Sequence, residues 1–254
     1  MNDISAFIRE NTPFSTDGNV VHFILNDEDR PWWSKQLELF YLHNDKKLNM
    51  SRNYKSQKQI MTSAPVKNKF VEFVSNAHGI KVDLASGPSG YFSAVLDHLA
   101  EDDLFIVTDA CPTVISAHAK ACQKDNFFVF DADLDKPLPF KDSSIDLFSG
   151  NLLNNVNNYA ELLCEVYRCL KVGGHLAVID MFFDHGCETY KHLNDKGEIW
   201  ASFETFIAYC EQIGFTFLGS EIISLRKGKL SDGDLYPLDE NDGWCDRTLY
   251  FAKK

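Results

Sequence analysis

From residue 80 onward, short apolar runs alternate with stripes of apolar residues at helical spacing. The runs Lys81–Leu84, Leu104–Thr108, Phe127–Phe130, Ile145–Ser149 and His175–Ile179 predict strands, each bounded by small or polar residues. Among the intervening segments, Tyr159–Leu170 carries apolar residues at 159, 162, 163, 166, 167 and 170, which is one face of a helix. Asn158 and Glu161 predict its N-cap and N3 partner, and Gly173-Gly174 its exit. A second helix is predicted over Val66–Ala77 and a third over Phe203–Ile213, with Gly214 at its end. Two further strands follow, Phe215–Leu225 and Arg247–Ala252. The long polar stretch KGKLSDGDLYPLDENDGW joins them, and loops of that length in a compact domain tend to be functional or mobile.

Strands alternating with helices imply a doubly wound, Rossmann-like α/β fold. Its mostly parallel seven-stranded sheet is covered on both faces, and ligands bind beyond the carboxyl ends of the strands. Residues 1–65 show no such alternation. Val20–Leu25 reads as a short strand and the aromatic-rich Trp32–Leu42 as a helix, so this part is expected to form an appendage or lid on a main domain spanning 66–254.

Composition narrows the class. The 254 residues are 44% hydrophobic and 24% charged, globular values, and no apolar run approaches the length needed to span a bilayer. The N-terminus lacks a basic flank followed by a long apolar stretch, so the expected location is the cytoplasm. Seven cysteines without a C-x-x-C pair suggest neither a disulfide framework nor a zinc ribbon; Cys164, Cys169 and Cys210 fall in helical patterns and are expected to pack as small core residues. A net charge of −12 argues against general nucleic-acid binding. The exception is Lys46, Lys47, Arg52, Lys55, Lys58, Lys67 and Lys69, a stretch without an acid that is either a patch for an anion or a solvated helix face.

The candidate chemistry begins at VDLASGPSGYFS, where small residues crowd the turn after the first strand of the alternating region. A dinucleotide site would show G-x-G-x-x-G, which is absent. Instead Asp83 is followed by small residues at alternate positions, and this resembles motif I (D/E-x-G-x-G-x-G) of the class I S-adenosylmethionine-dependent methyltransferases. Ala85 stands for the first glycine, Gly87 matches, Ser89 replaces the third, and Gly90 follows one place late. Asp109 closes the next strand, where an acid is needed to accept bonds from the ribose hydroxyls of an adenosine. FDADLDKPLPFKDSSIDLF resembles the family's D-A-x-x-LPF signature, and ELLCEVYRCLKVGGHL its helix and glycine turn, with Val172 where proline is common. The resemblance covers about residues 66–220. It implies S-adenosylmethionine as cofactor, with Asp83, Ala85, Gly87, Ser89, Gly90, Asp109, Ala110, Asn151 and Leu152 around it, Asp131 on the adenine amino group and Ala132 near the ring.

The acceptor is expected to be a small molecule. Methyl transfer is an in-line displacement that needs alignment and exclusion of water, and only some acceptors need a base. By position, His185 is the candidate general base, while Tyr54, Asn154 and Asn155 are candidates to face the acceptor. His185, Cys187, Glu188 and His192 fit no strong metal motif, so no metal is expected. A non-catalytic binder of the same cofactor, acting as partner or sensor, is the alternative on this fold.

Overall fold

The strand Ile80–Leu84 (β3) lies between two parallel neighbours, Leu104–Asp109 (β4) and Ile145–Asn151 (β6), in the computed structural model of the chain. The structure describes residues 4–43, 49–228 and 241–254. Outward from β4 lies Phe127–Asp131 (β5), and outward from β6 lies Leu170–Phe183 (β7), both parallel. Beyond β7 the sheet turns antiparallel through Gly243–Lys253 (β9) to Phe215–Lys227 (β8). Chain order therefore reverses between β3 and β6, and a crevice opens at the carboxyl ends of those two strands.

Among the described residues, nine strands form the sheet rather than seven. The extra pair is a hairpin from the N-terminal segment, Ser15–Asp17 (β1) and Val20–His22 (β2), and β2 pairs in parallel with β5. Residues 1–65 thus contribute sheet as well as cover.

The strands are apolar on both sides because both faces are covered. In β4, Leu104 and Ile106 enter one hydrophobic cluster, whereas Phe105 and Val107 enter the other. The first cluster packs Tyr159–Cys169 (α5) and Phe203–Ile213 (α7) through Leu163, Val166, Phe206 and Cys210. The second packs Pro65–Asn76 (α3), the 3-10 segment Tyr91–Asp97 and Pro112–Ala121 (α4) through Phe70, Val74, Phe92 and Ile115.

Two helices from the N-terminal segment lie near the crevice, Trp32–His43 (α1) and Met50–Ser63 (α2). α2 was illegible in the pattern, since only Met50 and Met61 of its residues are buried. A short helix at Glu188–Asp195 (α6) was also unforeseen. Asn158 does not cap α5 with its side chain; its amide donates instead to the carbonyl of Asp135, and its backbone N–H to the Asp135 carboxylate at 3.0 Å. Cys169 and Cys210 are buried as expected, but Cys164 is exposed, beside the Tyr209 hydroxyl. Most of the polar connection between β8 and β9 lies outside the described residues, as do Lys46 and Lys47. The rest of the basic stretch is dispersed, with Lys58 paired to Asp97 and Lys69 to Glu221. Among the described residues, no helix is long and apolar enough to cross a membrane.

Candidate active site

Asp83, at the end of β3, is wholly buried and turned away from the crevice. Its carboxylate accepts from Ser86 Oγ (2.7 Å), Tyr91 Oη (2.9 Å) and Ser149 Oγ (2.7 Å), which ties the turn to β6 and to the segment that follows. Burial pushes its carboxyl up to about 6 despite those three donors. The turn itself runs through the left-handed region at Ala85 (φ 49°), Gly87 (φ 57°) and Gly90 (φ 65°). Alanine in that conformation carries a steric cost of roughly 1–2 kcal/mol.

The turn faces a cavity of about 410 Å³. Its floor comes from strand ends, with Ala85 and Gly87 after β3, Asp109 and Ala110 at β4, and Ala132, Asp133 and Leu134 after β5; Trp32, Trp33 and Leu37 of α1 line it from the opposite side. Asp109 accepts from Gly87 N (3.1 Å) and Cys111 N (2.8 Å). Burial pushes its carboxyl to about 6, opposed by those N–H donors. Helix α1 and the arginine just before it are docked by polar groups: Ser34 Oγ and Arg30 Nη1 both donate to the Ala110 carbonyl (2.6 and 2.8 Å), and Glu38 accepts from the backbone and hydroxyl of Thr113.

The resemblance placed Asp131 on the adenine; the structure places it elsewhere. Asp131 is fully buried beneath the hairpin, gripped by Arg30 through two bonds of 2.7 and 2.8 Å and by His22 at 2.9 Å. It does not line the crevice cavity, whereas Asp133, two residues later, does. Sequence reading missed Asp133 because the D-A pair was matched to the signature, while the strand extends one residue further than the apolar run and carries Asp131 inside the sheet.

A second cavity, about 700 Å³, lies on the other side of the β6 end. Met61, Ile179, Met181 and Ile223 give it apolar walls, and Lys67, Arg226 and Asp246 bring charge. Asn151, Leu152 and Asn155 line both cavities, so the segment after β6 forms their common wall. Asn154 faces the larger one. Leu152 holds this segment in place with a left-handed backbone (φ 57°) and an N–H bond to the Ile179 carbonyl (2.8 Å).

Besides Asp83 and Asp131, four expected residues, Ser89, Gly90, His185 and Tyr54, stand outside the lining of both cavities. Ser89 is partly exposed within the turn, outside the lining residues. His185 is at the surface, beside Glu204 (3.2 Å) and against the Tyr190 ring, and does not reach the crevice. Its neighbours have separate partners, Glu188 with Lys191 and Cys187 with the Tyr190 N–H, and do not converge on a common point. Tyr54 lines neither cavity; it packs on Gly90, where a Cβ would lie 2.5 Å from its ring.

Residues 82–178 match the family described as a methyltransferase domain. That stretch, well under half of the chain, is similar to a methyltransferase domain. The fold of the chain is shared with solved methyltransferases. A provisionally assigned methyltransferase from Bacillus halodurans C-125 superposes with a TM-score of 0.56 at 13% identity, covering 74% of this chain and 97% of its own. Geranyl diphosphate C-methyltransferase from Streptomyces coelicolor A3(2), solved with S-adenosylhomocysteine, geranyl diphosphate and Mg2+, gives 0.54 at 12% identity over 74% of this chain and 78% of its own. The cyclase SpnF gives 0.54 at 14% identity over 74% and 80%. No curated protein matches the chain. Within the domain, the smaller cavity has the strand-end placement of the predicted cofactor site, and the larger one opens beyond it.

Proposed function

We propose that this protein transfers the methyl group of S-adenosylmethionine to a small-molecule acceptor. The observation that carries this reading is the common wall of the two cavities at Asn151, Leu152 and Asn155. One cavity has an acid, a left-handed glycine turn and an aromatic helix, groups that suit an adenosyl amino acid; the other is large enough for an acceptor. When bound, the cofactor supplies a methyl carbon activated by a sulfonium. Asp109 would accept bonds from the ribose hydroxyls, Asp133 from the adenine amino group, and the Ala85–Gly87 backbone would approach the amino-acid part. Trp32 and Trp33 would cover the adenosine and exclude water.

The acceptor wall bears on the chemistry. Tyr91 in that wall already donates its hydroxyl to Asp83, and Asp246 is held by Ser224 (2.5 Å) and Arg226 (3.3 Å). No histidine lines the cavity among the described residues. An acceptor that is nucleophilic without a dedicated base, such as a thiolate, an amine or a stabilised carbanion, fits this wall better than an alcohol. Lys67 and Arg226 outweigh Asp246 in charge and favour an acceptor with an anionic group on an apolar body. The seven free thiols suit a reducing compartment, and we place the protein in the cytoplasm.

Isothermal titration with S-adenosylmethionine and S-adenosylhomocysteine tests the first half of the proposal, and absence of heat for both ligands would overturn it. Incorporation of labelled methyl into a fractionated metabolite extract tests the second half. Binding without any methyl product would favour a non-catalytic binder, or another reaction on this fold.

A further inference from the structure

Helix α2, which lies outside the matched domain, reaches the glycine turn through a chain of hydrogen bonds. Tyr54 Oη lies 2.7 Å from His118 Nδ1, and His118 Nε2 lies 2.8 Å from the Gly87 carbonyl. A carbonyl only accepts, so Nε2 carries the proton, Nδ1 accepts, and the tyrosine hydroxyl donates. His118 is buried and burial lowers its pKa to about 4, which keeps the ring neutral and this arrangement intact. On the far side, the Gly87 N–H donates to Asp109 Oδ2 at 3.1 Å. One line of donors therefore runs from Tyr54 through His118 and Gly87 to the carboxylate in the cofactor cavity.

Two further contacts hold the helix there. Asn53 Nδ2 donates to the Pro88 carbonyl (2.7 Å) and Ser93 Oγ to the Tyr54 carbonyl (2.9 Å). The Tyr54 ring fills the space beside Gly90 that any side chain would need. The turn is thus pinned on both flanks of Gly87 and again at Pro88.

We propose that Tyr54 and His118 are positioning residues for the cofactor. Tyr54 fixes the His118 tautomer, and His118 fixes the Gly87 carbonyl and, across the Gly87 Cα, the N–H that orients Asp109. This inference rests on the proposed cofactor site. The two residues touch no ligand; they hold the groups that do. Without the tyrosine hydroxyl, the ring is free to place its proton on Nδ1, and Nε2 would then set a lone pair against the Gly87 carbonyl.

The test is titration of S-adenosylhomocysteine into wild type and variants, each below its melting temperature. Tyr54→Phe and His118→Asn are expected to weaken binding by roughly tenfold each, the effect of losing one well-placed hydrogen bond in a buried site. The double variant should be no worse than His118→Asn alone, because the contacts act in series. His118→Gln, whose amide nitrogen reaches the Nε2 position, should bind within about threefold of wild type, whereas the shorter Asn cannot reach. Imidazole 15N NMR should report the Nε2-protonated tautomer in wild type and a mixture in Tyr54→Phe. Wild-type binding with unchanged affinity in Tyr54→Phe and His118→Asn overturns the inference, as does additive loss in the double variant. If His118→Asn fails to fold, Tyr54→Phe and the NMR comparison still decide it. A wild type with no affinity overturns the proposed function first, and this inference with it.

Discussion

Arg30 and Asp131 meet in a bidentate pair, 2.7 and 2.8 Å, with the carboxylate fully buried and the guanidinium nearly so. Arg30 precedes α1 and also holds the Ala110 carbonyl in the cavity floor, so a single side chain fastens the N-terminal cover to the ends of β4 and β5. Breaking such a pair leaves a buried charge with only the part-exposed His22 beside it. Arg30→Met should lower stability by about 3 kcal/mol, read as a fall in the urea midpoint. Adding Asp131→Asn should recover part of that loss, since the stranded charge is then gone; a double variant weaker than Arg30→Met would contradict this account.

The two acids after β5 should separate by assay. Asp133→Ala should weaken S-adenosylhomocysteine roughly tenfold with little change in stability, as expected for one lost hydrogen bond to a charged group. Asp131→Asn should chiefly lower stability. Calorimetric titration and denaturation on the same samples distinguish them, and a reversed pattern would return the adenine contact to Asp131.

Ala85 occupies a backbone conformation that glycine adopts freely. Ala85→Gly should therefore stabilise the fold by up to about 1 kcal/mol, the left-handed penalty less the extra chain entropy of glycine. For a chain of this size that is an increase of roughly 2–4 °C in melting temperature. A decrease in differential scanning calorimetry would mean that the alanine methyl has a packing role larger than its strain.

The pH dependence of His118 has a definite sign. Burial lowers its folded pKa to about 4, below the ordinary histidine value, so between roughly pH 6.5 and 4 the unfolded chain binds the extra proton. Its neutral burial thus costs stability progressively as pH falls through that window. His118→Gln removes the titration, so its stability relative to wild type should rise from pH 7 to pH 4.5. A difference that stays flat over this range would show that the ring is already charged or exposed.

Ligand affinity should also depend on pH. Burial raises Asp109 to about 6, and a carboxylate that accepts ribose hydroxyls must be ionised. Affinity for S-adenosylhomocysteine should be level above pH 7 and fall as pH drops through 6, while stability contributed by the same group moves the other way. The folded state takes up the proton before the unfolded chain does, so the strain of burying the charge is relieved on acidification. Titrations at pH 5.5 and 7.5 check this.

The apolar runs determined the parallel strands, and a helix stripe such as 159–170 determined α5, because burial on one face imposes its period on the chain whatever the neighbours are. Motif I likewise located the crevice, since a left-handed turn after a strand needs small residues locally. Side-chain partners obey no such local rule. Asp131 and Asp133 differ by two positions, yet only the packing of β2 and Arg30 decided which one is sealed in the sheet and which faces the cavity. His185 looked placed for chemistry by its position after β7, but the loop turns it to solvent. Helix α2 has little apolar periodicity, so nothing in its own residues announced that Tyr54 would close on Gly90. The sequence by itself determined the layered sheet and the strand-end address of the crevice, because backbone geometry and burial are read residue by residue. Only the tertiary structure decided which carboxylates are free to meet a ligand and which helix holds the turn, because those depend on contacts between segments that are distant in the chain.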